Sequence, residues 1–263
     1  MKIYEIKLTK GQLSSLPENE RPLFFQLGYV FNELSFLNKL LYMVSDPELE
    51  GVERKGMTVQ SMIVARIFIG KVFESWLMLE KQLFNTNLML ELNSHLPDEA
   101  KEALNELKKY FGKNNLLSTI RNKFSFHYLS EHIEDVLNST EDEKELSLIL
   151  GVTDANTLHD YAEQIVSFGM LQKTSEESWQ AAMDKIIGDL IRVSGLLKSF
   201  FGHLSASIFH LRLGKSWDDF NWVEHDLNDL KNLEGFKIPF FFEENENESH
   251  NNTLQPTAKN AAG

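Results

Sequence analysis

The sequence predicts an all-α protein, a multi-helix bundle with a short N-terminal strand. Three observations lead there. Ile187, Leu190, Ser194, Leu197, Phe201, Leu204, Ile208 and Leu211 alternate three- and four-residue steps, the seam of a bundle helix. From about Thr58 to Leu92, apolar residues cover most of a helical circumference, as a central helix requires. Apolar residues make up 42% of the chain, which is enough to fill a real core around such a helix.

The elements follow in order. Ile3, Ile6 and Leu8 roughly alternate with polar residues, which predicts a short strand within residues 1–13. Pro17 and Pro22 open a helix in which Phe24, Leu27, Phe31, Leu34 and Leu41 recur at helical spacing, and Asp46-Pro47 ends it. A loop containing Gly51 and Gly56 leads to the central helix, Thr58 to Leu92. Pro97 starts a charged helix through Tyr110, and Gly112-Lys113-Asn114-Asn115 makes a turn into the next helix, Leu116 to Leu137. Thr140 and Glu143 are spaced as a capping box for a short helix to Leu150. Asp154 or Asn156 caps another to about Leu171. The long seam helix runs from about Ser175 to Leu213, and Trp217 to Leu233 forms a last short helix.

No internal repeat and no separating linker is visible, so residues 1–240 read as a single helical domain. Residues 241–263 read as a disordered, acidic, low-complexity tail, because Glu243-Glu244-Asn245-Glu246-Asn247-Glu248 has nothing to bury. The terminal stretch Thr253 to Gly263 resembles the read-through tails of proteins encoded by integron gene cassettes, which implies residues without a folding role.

Composition excludes several chemistries. The chain has no cysteine, hence no disulfide, thiolate zinc site or cysteine nucleophile. The apolar stretch from Ile187 to Leu213 is broken by Asp189, Arg192, Lys198, His203, His210 and Arg212, so no bilayer span is expected, and the N-terminus lacks a secretory apolar run. A cytoplasmic protein without membrane contact is predicted. The net charge of −13 argues against coating of long nucleic acid. The charge is uneven, however. Lys108, Lys109, Lys113, Arg121 and Lys123 form a stretch without acids, and seven acids lie between Glu131 and Glu145. Two solvated patches are one reading of this pattern, and a small basic dock beside an acidic flank is the other.

Gly51 and Gly56 have phosphate-loop spacing, but Met57 stands where the lysine belongs. His203 and His210 lie about 10 Å apart along one helix, too far to share a metal alone. No metal or other cofactor is implied. Arg66 falls within an apolar arc with Val59, Ile63, Phe73 and Leu77, which predicts a paired arginine at the core edge.

One segment carries signs of chemistry: Arg121-Asn122-Lys123-Phe124-Ser125-Phe126-His127-Tyr128. On a straight helix, Asn122, Phe126, Leu129, Ile133 and Val136 form one stripe within about 80°, while Leu116, Ile120, Phe124 and His127 form another. Two stripes call for burial on two sides. Arg121 and His127 sit about 120° and about 9 Å apart on such a helix, so a bent helix or a two-fold axis is needed to bring both to one phosphate.

Arg121-Asn122-x4-His127, followed by Tyr128, resembles the Arg-x4–6-His motif of HEPN-domain proteins, many of which are RNases of toxin–antitoxin and phage-defence systems. The resemblance implies a helical bundle, a homodimer through the motif helix, single-stranded RNA as substrate, an antitoxin partner and metal-independent cleavage. It implies His127 as general acid/base, Arg121 as holder of the scissile phosphate and Asn122 as orienting group. Tyr128 and Phe124 are then positioned to stack a base, and Lys123 and Lys113 to bind the strand. The residues also admit a plainer reading. In it His127 is a buried, hydrogen-bonded histidine, Arg121 pairs with Glu131 or Asp135, and the chain is a non-catalytic helical interaction protein.

Overall fold

The computed structural model describes residues 1–125, 130–228 and 232–243. Its elements are β1 (Lys2–Ile6), α1 (Lys10–Ser14), α2 (Arg21–Met43), α3 (Gly51–Gln82), α4 (Asn87–Leu92), α5 (Asp98–Phe111), α6 (Leu116–Ile120), a π-helical turn (Arg121–Ser125), α7 (Ser130–Asn138), α8 (Asp160–Gln172), α9 (Trp179–Leu213) and β2 (Trp222–Asp226). The all-α bundle with a short N-terminal strand is what the periodicity predicts.

The long helices α3 and α9 carry the core. On α3, buried residues fall on nearly every side, Phe68, Ile69, Val72 and Leu79 among them, so its apolar content surrounds the axis as expected for a central element. On α9 the seam residues Leu190, Ser194, Leu197, Phe201, Leu204 and Ile208 are all buried, and Ser178 caps the helix by accepting from the Ala181 N–H. Helices α2 and α5 pack on α9 through Leu23, Leu27, Leu34 and Leu41, and through Ala100, Ala103, Leu104 and Leu107. Proline opens α2 and directly precedes α5, at the positions where its missing N–H costs nothing.

The structure departs from expectation at several places, among them the cap expected at Asp154 or Asn156, which form a 3-10 turn while α8 starts at Asp160. The central helix begins at Gly51, not Thr58, and ends at Gln82; Asn85 then takes a left-handed conformation (φ 62°) and Thr86 caps α4. Gly56 belongs to the helix, and Phe240 lies directly on it: a Cβ there would meet the Phe240 Cβ at 2.7 Å. Thr140 does not start a helix. Its hydroxyl donates to the Val136 carbonyl and so closes α7, while Ile149 bridges Leu158 in antiparallel fashion. Instead of a helix over 217–233, Trp222–Asp226 pairs antiparallel with β1, from Lys2↔Asp226 to Ile6↔Trp222. That pairing is held by Lys2–Glu224 (2.6 Å) and an edge-on Tyr4–Trp222 contact. A further departure, in the motif helix, is described below.

The chain also stays packed beyond residue 240. The Ile238 N–H donates to the Met43 carbonyl, and the Asn156 side-chain amide both donates to and accepts from the Phe242 backbone at 2.9 Å. The remainder of the predicted tail, 244–263, lies outside the described residues.

Candidate functional site

Asn115 caps α6 by accepting from the Ser118 N–H (2.8 Å), and Leu117 and Ile120 anchor the helix in the core. The expected single helix from Leu116 to Leu137 then departs from α geometry at Arg121. A π-helical turn occupies Arg121–Ser125, and α-helix is described again from Ser130. Such turns widen the helix locally and recur at functional sites. Phe124 is the core-facing residue of this turn. It packs against α8 so closely that a Cβ on Gly169 would meet its ring at 2.7 Å, and Val136 of α7 closes the same contact.

Arg121 lies on the opposite side, at the surface of α3. Its Nη2 donates to Glu74 Oε1 (2.6 Å), its Nη1 donates to Asn122 Oδ1 (3.0 Å), and the guanidinium sits 5.2 Å from the Phe73 ring centroid. The Arg121 side chain is 24% exposed and the Glu74 side chain 52% exposed. The Arg121 Nε is buried and has no hydrogen-bond partner among the described residues. The arginine is thus a rigidly backed cation that already holds a carboxylate oxygen at the protein surface.

Of the other predicted site residues, Asn122 is exposed and bonded to Arg121, and Lys123 is half-buried. Lys113 is exposed at the turn before α6, where its carbonyl accepts from Asn115. Phe124 points into the core. His127 and Tyr128 lie outside the described residues. The basic stretch is partly committed elsewhere, with Lys108 over the Phe84 ring and Lys109 near Glu106.

Reading the local sequence misses Glu74, and it places Phe73 only in the apolar arc of α3, not beside Arg121. Both come from α3, nearly fifty residues earlier; among the described residues the ion-pair partner of Arg121 is Glu74, not Asp135, and the expected alternative Glu131 has its side chain outside the described residues. Arg66, by contrast, is the paired core-edge arginine its apolar arc predicts: it forms a two-pronged contact with Glu163 of α8.

The ground around Arg121 mixes ion pairs with exposed apolar side chains. Lys71 bonds Glu33 across α2 and α3 (2.7 Å), and this bond, opposed by burial, raises its ammonium above the ordinary lysine range, with Tyr29 and Glu74 adding to the rise. Tyr29, Glu33, Lys71, Glu74 and Arg121 therefore share one face. On it Phe25, Tyr29 and Phe36 are 51, 62 and 63% exposed, and Ile63 and Ile67 of α3 are also uncovered.

Among the described residues, no three histidine, aspartate or glutamate side chains converge as a metal site would require. No helix there is long and apolar enough to cross a membrane. Compared with known proteins, the chain matches no family model, no curated protein and no solved structure.

Proposed function

We propose that this chain is a metal-independent endoribonuclease of the HEPN type, acting on single-stranded RNA as a homodimer through the segment that carries Arg121 and His127. A stress, toxin–antitoxin or phage-defence role, with an antitoxin partner, goes with that reading. The observation that carries it is the Arg121–Glu74 contact. An arginine backed by Phe73 and gripping an exposed carboxylate can exchange that carboxylate for a phosphate oxygen, since both present anionic oxygens that accept from the guanidinium N–H groups. His127, six residues on, supplies an imidazole able to move the 2′-hydroxyl proton or protonate the leaving oxygen near neutral pH. The dimer is supported by the uncovered face beside Arg121, and by Ile133 and Leu137 of α7, which also remain exposed.

The test is cleavage of a single-stranded RNA in EDTA, with 2′,3′-cyclic phosphate ends on the products. His127→Ala abolishes cleavage on this reading without lowering Tm. Arg121→Ala abolishes it too, and lowers stability by about 1 kcal/mol or less through the lost ion pair. Metal-dependent cleavage, or variants as active as the parent, rejects the proposal.

The second reading, a non-catalytic helical interaction protein, is favoured by that same ion pair together with the packing of Phe124 on the core, since a structural role alone also accounts for both. Under it, no preparation cleaves RNA and His127→Ala costs stability.

A further inference from the structure

The extended segment around Leu148–Val152 has one side occupied and the other open. Ile149 exchanges both backbone hydrogen bonds with Leu158 (2.9 and 2.8 Å), the Ser147 carbonyl accepts from the Tyr161 N–H, and the Gly151 N–H donates to the Thr157 hydroxyl. Residues 147, 149 and 151 thus face inward. By strand alternation, the N–H and C=O groups of Leu148 and Leu150 face the other way, and neither residue makes a hydrogen bond among the described residues. A row of unpaired backbone groups like this is a template for another strand.

The side chains agree with the backbone. Leu148 and Leu150 lie on one face and are 48 and 47% exposed, and Val152, at the bend that follows, is 72% exposed. Beside them, Val52, Ile149, Phe241 and Phe242 line a cavity of about 440 Å³, large enough for one or two side chains. Its wall is fixed: the Asn156 amide satisfies both backbone groups of Phe242, so the 241–243 strap does not offer those groups to a visitor.

The rim decides the partner's charge. Glu243 lines the cavity; Glu145 and Asp154 lie at either end of the open segment; Glu50 and Glu53 flank Val52. The opposing bases are Arg54 and Lys144, the latter held over the Phe168 ring, since Lys55 is drawn to Asp160 (3.2 Å) and Ser147 (2.5 Å). The geometry points to a β-addition site: the free edge at Leu148–Val152 takes an extended, lysine- or arginine-rich segment of a partner protein, whose apolar side chains seat in the cavity beside Phe242. This site does not depend on the nuclease reading and is built from different residues.

The test uses the full chain and a fluorescein-labelled peptide of alternating valine and lysine, read by anisotropy. The peptide binds saturably, and a valine–glutamate counterpart does not. Methylating the backbone nitrogens on one edge of the lysine peptide weakens binding about tenfold, the loss expected for about two hydrogen bonds. Leu150→Asp weakens it as much, without loss of helicity. Equal binding of the methylated and parent peptides leaves only charge attraction and overturns the proposal, as does absence of binding. Concentration-dependent self-association that Leu150→Asp removes puts a second copy on the edge instead, and also overturns it.

Discussion

On the proposed nuclease reading, two anions compete for Arg121. The Glu74 carboxylate neutralises it at 2.6 Å, and a phosphate must displace that carboxylate to bind. Glu74 is half exposed, so releasing it to water is cheap, whereas the Phe73 backing keeps the guanidinium in place when Glu74 leaves. Glu74→Gln therefore raises affinity for a single-stranded RNA oligomer, by about three- to tenfold, because one competing charge is gone. The measurement is made by anisotropy in the His127→Ala background, so that turnover does not interfere, and the gain shrinks as salt is raised. Unchanged or weaker binding means that Arg121 faces no anion other than Glu74. None of this is visible from local spacing. The motif marks Arg121, but Glu74 and Phe73 meet it only because α3 packs against the turn at Arg121–Ser125.

At the scale of elements, what was legible divides by distance along the chain. Helices α2, α5 and α9 are set by local periodicity with proline and N-cap punctuation, and they stand within a few residues of their predicted limits. The break between α3 and α4 rests on Asn85 adopting φ > 0, which neither glycine nor proline announces. Strand β2 exists because β1, more than two hundred residues away, offers an edge, and a lone Trp-Val-Glu-His-Asp run does not reveal that. The 141–159 segment is likewise organised by a non-local polar knot. Asp160 Oδ2 accepts from Ser147 (2.7 Å) and Gln164 (2.6 Å) and faces Lys55 at 3.2 Å. Burial alone pushes the Asp160 carboxyl up, but the hydrogen bonds from Ser147, Gln164 and Lys55 outweigh it and hold it below the ordinary aspartate range. A carboxyl depressed by folding adds stability above its unfolded pKa of about 4, and that contribution disappears as pH falls through the lower folded value. Asp160→Asn should thus cost about 1–3 kcal/mol near neutrality and progressively less in acid. Urea melts of parent and variant at pH 7 and pH 3 check this, and a cost that stays constant with pH refutes the electrostatic account.

For the whole molecule, self-association works against charge. Each copy carries −13, and two such bodies repel at long range. The proposed dimer would use the face beside Arg121. It carries Glu33 with Lys71 and Glu74 with Arg121, so the proposed two-fold contact can set opposite signs against each other, and it exposes Phe25, Tyr29, Phe36, Ile63 and Ile67. Burying one such aromatic contributes about 2 kcal/mol, and five apolar side chains on each partner supply enough to offset the repulsion left at physiological salt, where the Debye length is about 8 Å. The proposed dimer should therefore strengthen, not weaken, as salt rises from low to moderate concentration, because screening removes the net repulsion and leaves the apolar contact intact. Sedimentation equilibrium at micromolar protein then gives twice the chain mass of 30.3 kDa, and Tyr29→Asp returns it to the single mass with helicity unchanged. On the proposed nuclease reading, RNA cleavage falls with the dimer, since the motif segments would lose their partner. A parent protein that sediments as one chain at every salt concentration removes the two-fold site, and any cleavage it retained would have to arise within one copy.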